Sequence, residues 1–420
     1  MLIDNPRTFL SSLFHAAVNA SNPESNLAQH LPQKPKGRTV VVGCGKSAAQ
    51  MARALELHWD ELLEGFVVTG YGYGCETSRI KVLEASHPIP DGAGLQASRK
   101  ILDSVSSLTT DDLVIALISG GGSALLPCPP QGFDLRDEII LNEALLTGGV
   151  PISEMNTIRK HFSEIKGGKL AIATQARVAT LIISDIPGDN PAHTASGPTI
   201  ADDSNRDDAI EIIKRYGLNL PRSIVEHIAS AESIAPCPDD PRLVDNSHRI
   251  IASARLSLDA AANEARSQGI DAVILSDAIE GEARDVASVH AAIAREICRY
   301  DRPFTRPIVL LSGGETTVTL REKVGRGGRN GEFALAAALS IQGLDVDILS
   351  ADTDGIDGSE NNAGAFANGQ TVHRLRDAGI NGKELLSDHD SYSGFLKLND
   401  LFETGPTGIN VNDFRAILIR

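Results

Sequence analysis

The sequence has few of the residues that mark disulfide-rich, metal-binding or membrane proteins. Its 420 residues include five cysteines, one tryptophan and 4% aromatic residues. The cysteines are scattered without a C-x-x-C pair or zinc-ligand spacing, so we expect small buried side chains in a reducing compartment. There is no run of 18 apolar residues, which excludes an ordinary membrane-spanning helix. Residues 1–20 place apolar side chains at helical spacing without a basic leader, and we predict an amphipathic helix in a cytoplasmic protein.

Positive charge is also scarce. The chain has 39 Lys and Arg against 55 Asp and Glu, a formal net charge of −16. This imbalance disfavours general attraction to nucleic acid or to an anionic membrane. An anionic small molecule would need a local cluster of basic residues. We therefore expect a small-molecule ligand as the partner, and a homo-oligomer stays open.

Short β-branched runs alternate with longer helical patterns along almost the whole chain. Several runs, such as 113–119 and 178–184, are apolar through most of their length, which indicates strands buried on both faces by helices. The pattern predicts an α/β protein with a mostly parallel sheet. A stretch rich in proline and aspartate at 234–246 interrupts the periodicity. A boundary there predicts two domains, residues 1–240 and 241–420.

Five predicted strands end in stretches rich in glycine, serine and aspartate. Parallel sheets bind ligands at the carboxyl ends of their strands. One such stretch could be a tight turn, but five together predict a site for a polar ligand. The stretches are 116–126, 181–190, 273–281, 310–318 and 347–358.

The first strand leads into GCGKSA at 43–48, which fits two phosphate-binding motifs incompletely. A P-loop would need glycine where Val40 stands. A dinucleotide site prefers an acid at the end of the next strand, where Thr69 stands. Both motifs bind anions at the N-terminus of a helix, and the segment keeps this property. A helix is predicted to start near Ser47, and Lys46 adds a positive charge beside its N-terminus.

Two further segments suit anion binding. The SGGGS segment 119–123 carries three glycines, a conformational cost that a backbone wrapped around an oxyanion would explain. It lacks the G-x-S-x-G pattern, so Ser123 is not predicted to be a nucleophile. In the basic segment 154–170, Arg159 and Lys166 fall on one helical face. They could form an anion-binding loop or a cationic helix end.

The loop 184–199 carries carboxylates and one histidine after a buried strand. Asp185 and Asp189 could hold Mg²⁺, polarise a substrate hydroxyl or cap turns. His193 could act as a general base or as a hydrogen-bonding turn residue.

The C-terminal half repeats this chemistry. The glycine-arginine segment 325–332 suits bidentate recognition of phosphate. Asp352, Asp354 and Asp357 follow a strand in an order that does not fit an EF-hand. They could hold a nucleotide-bound metal or form Asx turns.

Taken together and in order, these segments resemble the MOFRL-type glycerate kinases, the class that produces 2-phosphoglycerate. The resemblance covers nearly the whole chain. The matching segments are GCGKSA (43–48), SHPIPD (86–91), SGGGSALL (119–126), NTIRKHFSEIKGGKLA (156–171), SDIPGDNPAHTASGPT (184–199), SGGETTVT (312–319), GRGGRNGEF (325–333), ADTDGIDG (351–358) and residues 385–413.

The resemblance implies two α/β domains, the first Rossmann-like, with the active site in the interdomain cleft. It implies ATP-dependent, Mg²⁺-assisted phosphorylation of D-glycerate to 2-phosphoglycerate. By motif match, Lys46 and either Arg326 or Arg329 occupy the family's catalytic positions.

The resemblance and the residue chemistry together predict four sets of site residues. The catalytic set is Lys46, Arg326, Arg329, Asp185 and Asp189. The substrate- and phosphate-binding set is Gly45, Ser47, Ser119, Gly120, Gly121, Gly122, Ser123, Arg159, Lys166 and Asn190. The nucleotide-binding set is Gly313, Gly314, Glu315, Gly327, Gly328 and Asn330. The metal set is Asp352, Asp354 and Asp357.

Two other functions compete with kinase activity. The glycine pattern at 43–48 and the naming of related proteins leave open a hydroxypyruvate reductase that uses NAD(P)H. The missing ribose-binding acid and the surplus of basic glycine loops disfavour it. A non-catalytic sensor of nucleotides or sugar acids would not need so many converging charged residues.

Overall fold

The computed structural model describes residues 3, 5–186, 188–320 and 325–420. It divides into two compact units, which we call the N-terminal unit (Pro23–Ile251) and the C-terminal unit (Met1–Asn22 with Ala252–Arg420). The predicted division into 1–240 and 241–420 differs from these units, because the first helix packs within the C-terminal unit. The apolar pattern of that helix predicts a buried face but does not identify what covers it.

The strands and helices follow the predicted alternation. The strands are β1 Thr39–Cys44, β2 Leu63–Gly70, β3 Ile80–Ala85, β4 Leu113–Ser119, β5 Arg177–Ile183, β6 Ser247–Ala252, β7 Asp271–Ser276, β8 Gly281–Glu282, β9 Ile308–Gly314, β10 Thr316–Thr317, β11 Val346–Asp352, β12 Gly364–Asn368, β13 Leu401–Phe402 and β14 Asp413–Ile419. The helices are α1 Pro6–Ala20, α2 Pro23–Asn26, α3 Ala48–His58, α4 Gly92–Ser106, α5 Gly122–Leu125, α6 Leu135–Thr147, α7 Ile152–His161, α8 Lys169–Ile172, α9 Arg206–Arg215, α10 Arg222–Ala229, α11 Ala254–Ser267, α12 Ala283–Tyr300, α13 Arg329–Ser340, α14 Thr371–Asp377, α15 Gly382–Ser387 and α16 Ser391–Leu398.

The sheet of the N-terminal unit has the order β3-β2-β1-β4-β5-β6. Strands β3, β2, β1, β4 and β5 pair in parallel, and every residue of β1 and β4 is buried. This is the doubly wound order of dinucleotide-binding folds, and it confirms the Rossmann-like prediction. The strand order reverses between β1 and β4, the place where such folds bind their ligands.

The sheet of the C-terminal unit is mixed, with the order β13-β12-β11-β14-β9-β7. Strands β7 and β9 are parallel, while β14 runs antiparallel to both of its neighbours. The carboxyl ends of β7, β9 and β11 therefore share one edge with the amino end of β14. The expectation of a mostly parallel sheet holds for the first sheet but not for this one.

Helix α1 closes one face of the C-terminal unit. Asn5 caps it by accepting the Thr8 N–H, and Pro6 occupies the first turn, where its missing N–H costs nothing. The buried Phe14 ring packs edge-on against Phe402 and Phe414, with centroids 5.0 and 5.7 Å apart. Each buried aromatic side chain contributes about 1.5–3 kcal/mol. The predicted amphipathic helix is confirmed. In the described residues, no helix combines the length and the apolarity of a membrane span.

Candidate functional site

The loops that follow β1 and β4 are joined by hydrogen bonds at the point where the strand order reverses. The Lys46 backbone N–H donates to the Gly120 carbonyl at 2.9 Å, and the Ser47 N–H donates to Ser119 Oγ at 3.0 Å. The structure thus brings the predicted 43–48 and 119–123 segments together. Both residues are buried, and the Ser119 side chain holds the two loops to each other.

Glycine is required where these loops touch. Gly45 has a φ of +121°, and a Cβ there would lie 2.3 Å from the Ser119 carbonyl oxygen. A Cβ on Gly120 would lie 1.9 Å from Asp185 Oδ2, in the loop after β5. No side chain fits at either position. The three loops therefore meet only because these residues are glycines.

The meeting point can attract an anion. Helix α3 begins after Ser47, and neither a capping side chain nor an acidic residue occupies its first turn. Its N-terminal N–H groups and the positive end of its dipole favour a negative ligand. Lys46 makes no ion pair within the part of the chain that the structure describes. The predicted anion-binding turn thus keeps an uncompensated cation.

His87, which the sequence motifs do not identify as a site residue, also lies beside these loops. A Cβ on Gly121 would lie 3.1 Å from His87 Nε2 and 3.4 Å from Lys46 Cγ, so both side chains border this glycine. Burial, and then the charge of Lys46, lower the pKa of His87. The imidazole is therefore neutral at neutral pH. Its only sequence signal is the SHPIPD segment itself.

Arg159 lies in a polar network in the N-terminal unit. Its Nε donates to Asn142 Oδ1 at 2.8 Å, and its Nη1 lies 3.4 Å from Asn156 Oδ1. Ser196 Oγ donates to Asn156 Oδ1 at 2.7 Å and lies 2.9 Å from Ser123 Oγ. Burial lowers the pKa of Arg159 to about 10. A guanidinium held by amide oxygens keeps donors for an anionic ligand.

Lys166 does not supply an open cation. Its side chain is 1% exposed, and its Nζ donates to Glu138 Oε1 at 2.6 Å. Glu138 also accepts the Cys128 N–H at 2.9 Å. Because the charge is neutralised inside the unit, the structure gives Lys166 a structural role in place of the predicted substrate contact.

The loop after β5 places its predicted residues differently. Asp185 adjoins Gly120, whereas Asn190 is an exposed turn residue whose Oδ1 accepts the Ala192 N–H at 3.1 Å. Asp189 has a φ of +55°, in the left-handed region. The Asn190 amide lies 3.4 Å from His193 Nε2. Of these residues, Asp185 is the one that the structure brings to the glycine loops.

A second polar cluster lies in the C-terminal unit, at the edge where β9, β11 and β14 meet. Arg329, at the start of α13, donates to Asp413 Oδ1 and Asp352 Oδ2, both at 2.6 Å, and lies 3.4 Å from Glu315. These carboxylates raise the pKa of Arg329. Asp413 also pairs with the fully buried Arg415 at 2.5 Å. The sequence pattern does not reveal Asp413, because this residue begins an antiparallel strand, whereas the predicted site residues follow the ends of strands.

Arg326 is the more accessible of the two predicted catalytic arginines. Its guanidinium lies 4.2 Å from the centre of the Tyr392 ring and donates to Glu360 at 2.6 Å. Its side chain is 55% exposed, against 26% for Arg329. Arg326 can therefore change partners, whereas Arg329 is fixed by buried carboxylates.

The predicted metal set does not gather into a site. Asp357 accepts the backbone N–H groups of Asn330 and Gly331 at 2.9 and 2.8 Å, which caps α13, and burial raises its pKa to about 6. Asp352 is held by Arg329, and Asp354 accepts the Ile356 N–H at 2.9 Å. Within the described ranges, no group of three or more His, Cys, Asp or Glu is arranged to hold an ion.

The predicted nucleotide-binding set divides into structural and cavity-lining residues. A Cβ on Gly314 would lie 2.2 Å from the Ile279 nitrogen, and Gly313 precedes it in buried β9. Asn330 is fully buried and donates to Asp413 Oδ1 at 2.8 Å. These three residues support the fold, and their predicted contact with a nucleotide stays a prediction. The other three residues line a cavity of about 730 Å³: Glu315, Gly327 and Gly328.

Two family models match the chain. Residues 9–229 match a domain of unknown function, DUF4147, and residues 308–413 match the MOFRL family. A protein of Agrobacterium vitis named "Putative hydroxypyruvate reductase" is 47% identical, with 98% of this chain and 94% of that protein covered. A Pyrococcus horikoshii protein named glycerate 2-kinase is 42% identical, with 91% of this chain and 88% of that protein covered.

A solved structure extends the similarity to the fold. The crystal structure of a glycerate kinase from Thermotoga maritima has a TM-score of 0.89 and 34% identity, covering 98% of this chain and 99% of that one. Fold and matches together define a two-domain α/β protein of the phosphotransferase type. The chain belongs to the MOFRL-type glycerate kinase family, some of whose members carry the name hydroxypyruvate reductase. The resemblance read from the sequence is confirmed.

Proposed function

We propose that the protein is an ATP-dependent glycerate 2-kinase that converts D-glycerate to 2-phosphoglycerate. The observation that carries the proposal is the uncompensated Lys46 beside glycine loops at the strand-order reversal, in a chain similar along its length to glycerate 2-kinases. Phosphoryl transfer needs positioning and charge neutralisation more than covalent chemistry. This site offers both.

The reaction joins the C2 hydroxyl oxygen of glycerate to the γ-phosphorus of ATP as the bond to the β-phosphate oxygen breaks. Lys46, the backbone of residues 120–123 and the N-terminus of α3 would take the charge on the phosphoryl oxygens. The hydroxyl must lose its proton. Asp185, which adjoins Gly120, would orient that hydroxyl and accept the proton.

The carboxylate of glycerate needs a cationic partner of its own. Arg159 fits, because its guanidinium is held only by amide oxygens and presents paired donors. Lys166 does not fit, since Glu138 already neutralises it. We therefore assign substrate binding to Arg159.

Of the two arginines, Arg326 is the better candidate for the phosphoryl clamp. The Arg326 side chain is itself 55% exposed, so its contacts with Glu360 and the Tyr392 ring can be exchanged for a ligand. Arg329 would have to leave two buried carboxylates, which costs several kcal/mol. Arg329 would position the glycine-arginine loop.

ATP as the donor implies Mg²⁺. The ion takes one or two protein carboxylates together with phosphate oxygens and water. The predicted Asp352, Asp354 and Asp357 do not fit that role, because a helix N-terminus and Arg329 occupy two of them.

The residue at the end of β2 disfavours the alternative function, an NAD(P)H-dependent hydroxypyruvate reductase. Thr69 stands where a dinucleotide site needs an acid for the ribose, and it is buried with its Oγ1 donating to the Lys46 carbonyl at 3.2 Å. Nothing at this position reaches a ribose hydroxyl. The assay below still tests it.

The test is a coupled assay with D-glycerate, ATP and Mg²⁺, with the product identified by NMR. We expect 2-phosphoglycerate, and Lys46→Ala should lower kcat by about 10²–10³-fold. Lys36→Ala, which removes an exposed lysine of the same unit, serves as the matched control. An absence of ADP, with oxidation of NAD(P)H by hydroxypyruvate in a parallel tube, would replace the kinase by the reductase.

A second pair of variants separates the arginines. Arg326→Ala should lower kcat with less than about 1 kcal/mol change in the free energy of unfolding. Arg329→Ala should destabilise the protein by about 3–5 kcal/mol, since it leaves buried carboxylates unpaired. Full activity of Arg326→Ala would refute the clamp.

A further inference from the structure

The segment of the N-terminal unit that packs against Gly122 has three consecutive residues in the left-handed region. Ala195, Ser196 and Gly197 have φ values of +54°, +61° and +56°, and a Cβ on Gly122 would lie 2.6 Å from the Ala195 Cβ. Glycine adopts this conformation freely, whereas alanine and serine adopt it at a steric cost. Such strain persists where the surrounding structure fixes it, and it is concentrated at functional sites.

The strained backbone places the Ser196 hydroxyl between two polar side chains. Ser196 is 3% exposed, and its Oγ lies 2.7 Å from Asn156 Oδ1 and 2.9 Å from Ser123 Oγ. The backbone of Ser196 is held as well, because its N–H donates to the His193 carbonyl and its carbonyl accepts the Gly167 N–H. Both the position and the direction of this hydroxyl are therefore fixed by the fold.

The Asn156 amide sets the direction of these hydrogen bonds. Its Nδ2 donates to the His193 carbonyl at 3.1 Å, and its Oδ1 lies 3.4 Å from Arg159 Nη1. A flipped amide would turn its N–H groups toward the guanidinium and its oxygen toward a carbonyl, so Oδ1 is the atom that faces Ser196. Ser196 donates its single hydroxyl proton to that oxygen. Ser123 must therefore be the donor in its hydrogen bond with Ser196.

This direction leaves the Ser123 oxygen as a hydrogen-bond acceptor. Its proton is committed to Ser196, and the Ser123 hydroxyl makes no other hydrogen bond within the part of the chain that the structure describes. Ser123 is partly exposed and directly follows the glycines at 120–122. The lone pairs of its oxygen can accept a proton donor from a ligand. Ser123 therefore favours a hydroxyl group over a carboxylate or phosphate oxygen, neither of which has a proton to donate.

We propose that Ser123 determines substrate specificity by accepting a hydrogen bond from the C3 hydroxyl of glycerate. A neutral serine hydroxyl is a weak base, so it suits the hydroxyl that keeps its proton and not the C2 hydroxyl that is phosphorylated. Ser196 and Asn156 act through Ser123 and are positioning residues. The inference rests on the proposed function in naming glycerate as the ligand, and it goes further in assigning the group that recognises C3.

Ligand-observed NMR titration of the full-length protein without ATP tests the proposal on the wild type. D-Lactate lacks only the C3 hydroxyl, and the 3-fluoro analogue of D-glycerate replaces it by an atom that cannot donate a proton. We expect both to bind about tenfold more weakly than D-glycerate, the effect of one lost hydrogen bond. An affinity of either analogue equal to that of D-glycerate would overturn the proposal.

The ratio of the dissociation constants of D-lactate and D-glycerate separates recognition from folding. Ser123→Ala should lower this ratio from about ten to about one, since neither ligand can then use the serine oxygen. A variant that only loosened the fold would weaken both ligands alike and leave the ratio unchanged. Ser107→Ala, which replaces an exposed serine of the same unit, should keep the wild-type ratio. A wild-type ratio in Ser123→Ala would refute the proposal.

Ser196→Ala tests the direction of the hydrogen bonds. Alanine fits the backbone here, because the neighbouring Ala195 has a similar φ. Without the Ser196 oxygen, the Ser123 hydroxyl is free to rotate, so the ratio should fall part of the way toward one, and an unchanged ratio would show that Ser196 does not orient Ser123. Glycerate phosphorylation by a wild type that binds D-lactate equally well would refute this inference alone. Selective binding of D-glycerate without phosphorylation would refute the proposed function alone.

Discussion

The stability of the N-terminal unit should depend on pH through His161. This residue ends α7 with a side chain that is 3% exposed, and its Nδ1 lies 2.6 Å from the Ser233 carbonyl oxygen. Nε2 is buried without a hydrogen-bond partner among the described residues. Burial lowers the pKa of His161 from 6.5 to about 4. Burial in the folded protein therefore favours the neutral imidazole of His161 over the charged imidazolium.

The sign follows from which state binds the proton. Between pH 6.5 and about 4 the unfolded chain is protonated at this residue while the folded chain is not. The free energy of unfolding therefore falls as the pH falls. At about 1.4 kcal/mol per pH unit, the whole interval amounts to about 3 kcal/mol, and the step from about pH 7.5 to about pH 5 to about 2 kcal/mol.

Urea unfolding at these two pH values measures the effect. Trp59 is the only tryptophan in the sequence and is buried in the same unit, so its fluorescence reports the unfolding of that unit. His161→Asn keeps an N–H near the Ser233 carbonyl but cannot titrate, and should lose about 2 kcal/mol less than the wild type. His248→Asn, at an exposed position of this unit, should match the wild type. An equal loss in His161→Asn would show that the fold does not hold His161 neutral.

Two further substitutions test the geometry of the N-terminal unit. Gly120→Ala should lower kcat/KM by at least about 10²-fold, because the new Cβ would lie 1.9 Å from a carboxylate oxygen of Asp185. Gly92→Ala is the control: its Cβ would have no atom within 4 Å, and kcat/KM should not change. Lys166→Met should lower the free energy of unfolding by about 3–5 kcal/mol, since it leaves Glu138 buried and unpaired. Adding Glu138→Leu to this variant should restore part of the lost free energy of unfolding, measured by urea unfolding with Trp59 fluorescence. If Lys166→Met alone were as stable as the wild type, the Lys166–Glu138 pair would not have this role.

The N-terminal sheet could be predicted because its strands are almost purely apolar. Runs such as 113–119 can only be interior strands, and glycine at their ends marks the close approach that the structure shows at Gly45 and Gly120. The central strand of the C-terminal sheet, β14, was not predicted. Arg415 interrupts its apolar run, and nothing local reveals that Asp413 pairs with Arg415 in the interior.

The sequence predicts which loops form the candidate site, but it does not predict which of their side chains are available to a ligand. Helical spacing placed Lys166 and Arg159 on one face, yet only tertiary packing reveals that Glu138 neutralises the lysine and that amides alone hold the arginine. His389 carries no local motif. It lines the cavity of about 730 Å³ and lies 3.1 Å from Glu332, a residue 57 positions away in the sequence.

The path of the chain through the C-terminal unit sets the order in which it can be completed during synthesis. Helix α1 leaves the ribosome before its partner α11, which follows only after residues 23–251, about 10–50 s later at the usual rate of translation. Strand β14, in the middle of the second sheet, follows β9 and β11 in the sequence. The N-terminal unit can therefore fold while the C-terminal unit waits with Phe9, Leu10 and Phe14 uncovered. A premature stop before β14 would leave β9 and β11 without the strand that joins them.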